Sequence, residues 1–159
     1  MQSHHATIRW TADGDFAKGR YTRAHEWHFD GGAVVPASAS PANVPLPFAD
    51  AGAVDPEEAF VAAVSSCHML WFLDLARRAG FELASYTDEA EGQMTTGPGA
   101  HISRVDLRPE ITWIGSSPDP DKLAALHHEA HANCFIANSI ISGNGRPRST
   151  SEAVTRPSI

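Results

Sequence analysis

Cys67 and Cys134 are the only cysteines in the chain, and a pair of thiols can do three kinds of chemistry. In redox catalysis a thiolate attacks the O–O bond of a peroxide and becomes a sulfenic acid, which a second thiol closes into a disulfide. The first thiol then needs a nearby cation to lower its pKa. Arg20, Arg23 and His68 are candidates, with Glu57 or Glu58 as a carboxylate that steadies an arginine. In metal binding, His127, His131 and Cys134 lie at i, i+4 and i+7, on one face of a helix, and Cys67 or His68 could complete a tetrahedral set. In the third reading both thiols fill a core, and the protein binds a ligand or partner through a proline-rich loop. The cysteines are 134 − 67 = 67 positions apart, so sequence alone does not place them in contact.

The elements that must position these groups have clear punctuation. Residues 55–80, DPEEAFVAAVSSCHMLWFLDLARRAG, read as one long helix, apolar on nearly every side. Asp55 can cap it, Pro56 suits its first turn, and Glu58 stands three residues after the cap. Arg77 and Arg78 favour the C-terminal end, and Gly80 stops it. A helix apolar on most faces calls for burial on most faces, which a second subunit would supply. Its middle carries a polar knot, Ser65, Ser66, Cys67 and His68. Residues 119–138 predict a second helix, with Asp119 and Pro120 repeating the cap-then-proline start.

Strands are expected over residues 5–13 and 20–29. In the second, Tyr21, Arg23, His25, Trp27 and Phe29 share a face. Two more are expected over 82–95 and 101–114, around the turn TGPGAH. Residues 36–54 hold four prolines and read as a long loop. The order is β-β-α-β-β-α, with each cysteine in a helix, and the class is α+β. Residues 1–140 are expected to form a single domain, followed by a polar, mostly irregular tail over 141–159.

Composition narrows the functions. The chain has 159 residues and a formal net charge of −7, which argues against a nucleic-acid partner. The stretch MQSHHATIRW lacks the basic and apolar regions of a secretory signal. The most apolar run, residues 59–73, is short and interrupted by Ser, Cys and His, so no membrane span is expected. A cytoplasmic protein without a cofactor follows as the expectation.

The stretch DPEEAFVAAVSSC resembles the Asn-Pro-Glu-Glu/Gln-Leu…Ala-Ala-x-x-Ala-Cys helix of the OsmC/Ohr family of thiol-dependent hydroperoxide reductases. AHANCFIANS, residues 130–139, resembles that family's second-cysteine helix, Ala-His-x-x-Cys-Pro-x-Ser. The likeness covers roughly residues 5–140. It implies an OsmC-like α+β fold with a long central helix, assembled as an intertwined homodimer. It implies a peroxidase acting on organic hydroperoxides or hydrogen peroxide. Cys67 would be the peroxidatic thiol, Cys134 the resolving thiol and Glu57 the family's carboxylate. The arginine would be Arg20 or Arg23, with Arg23 preferred because its strand face also carries His25 and Trp27. A dihydrolipoyl protein or a thioredoxin-like protein would restore the thiols. Phe135 replaces the usual proline, Ser66 and His68 flank Cys67, and a regular final strand is missing from the tail, which suggests a divergent branch. Glu57 and Cys67 are ten residues apart, about 15 Å and about 1000° of turn along one helix, so Glu57 is expected to serve the partner subunit's thiol.

Overall fold

Each long helix begins where side chains satisfy its first backbone donors. In the computed structural model, which describes residues 2–140, helix α1 spans Pro56–Arg78. The Glu58 amide donates to Asp55 Oδ1 at 2.8 Å, and the Asp55 amide donates to Glu58 Oε2 at 3.1 Å. This is a reciprocal capping box, as the Asp55–Glu58 spacing predicts. Gly80, at φ +85°, closes the other end: the Phe81 amide reaches the Ala76 carbonyl and the Gly80 amide that of Arg77. Helix α2, Pro120–Asn133, is capped by Asp119, which accepts from the Lys122 amide at 2.8 Å.

The expected single helix over 119–138 is interrupted. Cys134 has extended backbone, φ −65° and ψ 112°, ending α2 and capping a short helix α3, Phe135–Ser139. Its sulfur accepts from the Ala137 amide at 3.3 Å. Cys134 therefore sits at a joint and not within a helix, because its side chain replaces the backbone carbonyl that an unbroken helix would offer.

The strands are shorter and more numerous than the sequence suggests. The first of two compact units, residues 1–59, holds β1 (Ala6–Arg9), β2 (Gly14–Asp15), β3 (Arg20–Tyr21), β4 (His25–Phe29) and β5 (Val34–Ala37). β1, β4 and β5 form an antiparallel sheet in that order, and β2 pairs with β3. The expected strand over 20–29 breaks at residues 22–24, where the Arg23 amide leaves the ladder to donate to the Phe48 carbonyl. Gly14 permits the tight β2–β3 approach: it has φ +96°, and a side chain there would collide with the Arg20 carbonyl. β5 occupies the start of the stretch read as loop.

The second unit, residues 60–159 by its bounds, contains β6 (Glu82–Asp88), β7 (Glu91–Met94), β8 (Ile102–Asp106) and β9 (Pro109–Ile114). β6 pairs with β9 and β7 with β8. The two long strands expected here are thus each broken once, at facing positions. Asp88 holds that corner by accepting from the Arg108 amide and the Ser65 hydroxyl. The core is Phe72, Leu75 and Ala76 of α1 against Leu126 and Ala130 of α2, flanked by Leu83, Ile111 and Trp113. The architecture is α+β with a long helix, while the simple β-β-α-β-β-α order gives way to nine strands among the described residues. By length and composition α1 is long and apolar enough to cross a membrane, its best window averaging 1.5 in hydropathy, which corrects the reading of residues 59–73 as too short. Here Val64, His68, Phe72, Leu75 and Ala76 are buried instead. The tail over 141–159 lies outside the described residues.

Candidate active site

The second unit brings the two thiols together. Cys67 lies mid-α1 and is partly exposed, whereas Cys134 is buried at the α2–α3 joint. The Cys134 thiol hydrogen-bonds to the Cys67 sulfur. Burial, and after it that hydrogen bond, pushes the Cys134 thiol up to about 11. In the reduced protein Cys134 is therefore held as a thiol that donates to Cys67. One thiol is open to a reagent, and the other is sheltered beside it.

Histidines continue the polar knot inward. His68 is 6% exposed, and its Nε2 lies 3.1 Å from His127 Nδ1. The two rings are nearly parallel, and His127 stacks on Phe72 with centroids 4.3 Å apart. His127 thus pairs with a histidine 59 positions away, a contact without any local signal in the sequence. Among the described residues no group of three or more His, Cys, Asp or Glu side chains is arranged to hold a metal ion, so the i, i+4, i+7 face of α2 does not form one. Phe135, the residue after Cys134, meets Trp71 edge-to-face, with centroids 5.6 Å apart.

The other candidate residues belong to the first unit. The Arg23 guanidinium lies over the Tyr21 ring, 3.7 Å from its centroid, and donates to the Tyr21 carbonyl. Trp27 Nε1 donates to His25 Nε2 at 2.9 Å, which leaves the proton on His25 Nδ1 to be donated to the Arg23 carbonyl at 2.7 Å. Trp27 and His25 therefore hold the Arg23 backbone. Arg20 makes a long ion pair with Asp15, 3.8 Å apart. Glu57 accepts from the Asn43 amide group at 3.4 Å and, among the described residues, forms no ion pair with an arginine. Glu58 is occupied by the capping box. Arg23, His25 and Ser38 also line a cavity of about 400 Å³ whose other walls include Ile8, Trp10, Phe16 and Tyr21. Reading residues 36–54 as loop missed Ser38, which is fully buried and accepts from the Asp50 amide.

The model of the OsmC-like proteins matches residues 49–145, a stretch that contains both cysteines. The chain belongs to the OsmC-like protein family. An OsmC-like protein of unknown function from Vibrio cholerae O1 biovar eltor is 46% identical, with a TM-score of 0.84, covering 88% of this chain and 94% of that one. Two more distant members share the OsmC-like fold. An organic hydroperoxide resistance protein from Legionella pneumophila is 19% identical, with a TM-score of 0.63 over 96% of this chain and 98% of its own. Another, from Elizabethkingia anophelis and carrying bound thiocyanate, is 18% identical, with a TM-score of 0.64 over 96% of each chain. No curated protein matches the chain.

Proposed function

We propose that this OsmC-like protein is a thiol-dependent peroxidase that reduces organic hydroperoxides. The observation that carries the reading is the hydrogen-bonded pair of Cys67, partly exposed, and Cys134, buried. Membership of a family that includes hydroperoxide resistance proteins supports it.

The Cys67 thiolate attacks the outer oxygen of the peroxide. The S–O bond forms, the O–O bond breaks, and the departing alkoxide takes a proton to leave as the alcohol. Cys134 sulfur then attacks the sulfenic sulfur. The disulfide forms, and hydroxide leaves with the Cys134 proton as water. Two equivalents of an external thiol, on a dihydrolipoyl or thioredoxin-like protein, restore both cysteines. Arg23 is the cation assigned to Cys67, since Arg20 already faces Asp15. We place both groups in an intertwined homodimer in which Glu57 of the partner subunit steadies the arginine. This assembly also covers the apolar residues that α1 leaves outside, among them Leu70 at 61% exposure.

Peroxide consumption by the reduced protein with different thiol donors tests the activity, and a Cys67→Ser protein that consumes peroxide as fast as wild type would sink it. Sedimentation at micromolar concentration tests the dimer, which a stable monomer contradicts. Mixed Cys67→Ser and Glu57→Ala chains test the composite site. Verified heterodimers should recover one working site, and no recovery from inactive parents removes Glu57 of the partner subunit from the chemistry. The alternative, an OsmC-like protein that binds a ligand without turning it over, draws on the 400 Å³ apolar cavity. It predicts slow or absent peroxide consumption with every donor.

A further inference from the structure

We propose that Phe135 is a positioning residue for the closing of the disulfide: its ring, set against Trp71, latches the Cys134 joint onto α1 beside Cys67. The inference rests on the peroxidase reading above.

Trp71 stands four residues after Cys67, one turn further along α1 on the same face. Phe135 directly follows Cys134. The thiol pair and the ring pair are therefore two rungs between the same two segments. The ring rung is edge-to-face, with centroids 5.6 Å apart and planes at 80°, a favoured aromatic geometry. Phe135 is 69% exposed, so filling a core does not explain a large apolar side chain there. The contact with Trp71 does.

The joint needs such a tie. Cys134 interrupts two helices, and α3 has only five residues. The Cys134 amide donates to the His131 carbonyl, the Asn138 amide to the Cys134 carbonyl, and the Asn138 side chain to the Ala132 carbonyl. All these bonds run within residues 131–138, whereas the ring contact crosses to α1.

The tie matters most after the first oxidation. Once Cys67 carries oxygen, the hydrogen bond between the two sulfurs no longer exists in its reduced form, and the ring rung persists. Burial raises the pKa of Cys134 in the reduced protein, so its thiol starts as a weak nucleophile. Its attack depends on staying within reach of the sulfenic sulfur. The competing reaction is a second peroxide, which oxidises the sulfenic acid to sulfinic acid and is itself reduced to alcohol. Loosening the joint should shift this partition towards sulfinic acid.

The experiment compares wild type, Phe135→Ala and Phe135→Tyr, with Cys134→Ser as reference for the first step. Sulfenic acid is trapped with dimedone, disulfide formation is followed after rapid mixing with cumene hydroperoxide, and sulfinic acid is quantified by mass spectrometry. Thermal melts verify that each variant is folded. The expected result is sulfenic acid formation within about twofold of wild type in Phe135→Ala, disulfide closure at least about fivefold slower, and more sulfinic acid at each peroxide concentration. Phe135→Tyr should restore both quantities, which a general loss of folding would not allow. Normal sulfenic acid with wild-type closure in Phe135→Ala overturns the inference alone, as does failure of Phe135→Tyr to restore closure. No sulfenic acid on Cys67 in wild type or Cys134→Ser overturns the peroxidase reading, and this inference with it.

Discussion

The first unit buries Ala37, Ser38, Ala49 and Asp55 and leaves Ile8, Trp10, Phe16 and Leu46 exposed. The second buries Val64, Phe72, Leu75 and Leu126. The first is therefore held by short ladders, tilted and edge-on aromatic contacts among Trp10, Phe16 and Tyr21, and backbone hydrogen bonds. The second is held by a packed core. The candidate chemistry divides along the same line. The thiols stand on the packed unit, where dense packing holds two sulfurs within hydrogen-bond reach. The arginine stands on the unit where Ile8, Trp10, Phe16 and Leu46 face solvent, as Leu70, Met94, Ile114 and Phe135 do on the other. Exposed apolar surface of that kind marks an interaction face, and the proposed homodimer would cover it.

Substitutions in the two units should separate these roles. The largest effect is expected in the thiol unit: Cys67→Ser should lower peroxide turnover at least about a thousandfold, because the remaining thiol, Cys134, is buried and its pKa is raised. Arg23→Ala should lower it about ten- to a hundredfold while the thiols remain titratable, since it removes an activating charge and not the nucleophile. Equal losses would mean that the two units contribute equally to the chemistry.

Stability sharpens the same contrast. Phe72→Ala, at a fully buried position, should cost about 3–5 kcal/mol in urea unfolding of the reduced protein. Phe16 is 60% exposed, and Phe16→Ala should cost about 1 kcal/mol or less in the monomer. If the two costs match, the first unit has a core of its own and the comparison fails.

A smaller effect depends on pH. Burial, with the Cys67 hydrogen bond second, raises the folded pKa of Cys134 to about 11. From about pH 9 the unfolded chain gives up this proton while the folded chain keeps it, so stability is full below pH 9 and falls as pH rises towards 11. The loss should be on the order of 2 kcal/mol. Tyr86 is also raised, by burial and then by Asp88, and adds to the decline. Subtracting the unfolding profile of Cys134→Ala from that of wild type isolates the cysteine, and an unchanged slope in that variant would assign the decline elsewhere.

The smallest expected effect is at the start of α1. Asp55→Ala removes one half of the capping box and should cost about 1 kcal/mol, read as a lower urea midpoint with unchanged slope. A cost near zero would show that packing alone holds the helix start.

The helix ends were legible because their causes are local. Asp55 with Glu58, Asp119 with Pro120, and Gly80 act on backbone groups within a few residues, so their spacing carries the information. The family motif around each cysteine was legible for the same reason. The strands were less so: alternation predicts a strand but not its breaks, which depend on distant partners such as Phe48 for Arg23 and Arg108 for Asp88. Cys134 looked helical because its neighbours favour helix, and only its sulfur, bonding to the Ala137 amide, shows why the helix stops there. The sequence by itself determined that the chain has two thiols, an α+β pattern and a capped central helix of the OsmC-like kind. Only the tertiary structure decided that Cys134 meets Cys67, that His127 meets His68 and that Phe135 meets Trp71. Each of these contacts joins residues about sixty positions apart, and such contacts are set by how α1 and α2 pack around Phe72, Leu126 and Ala130, not by any interaction between neighbours in the chain.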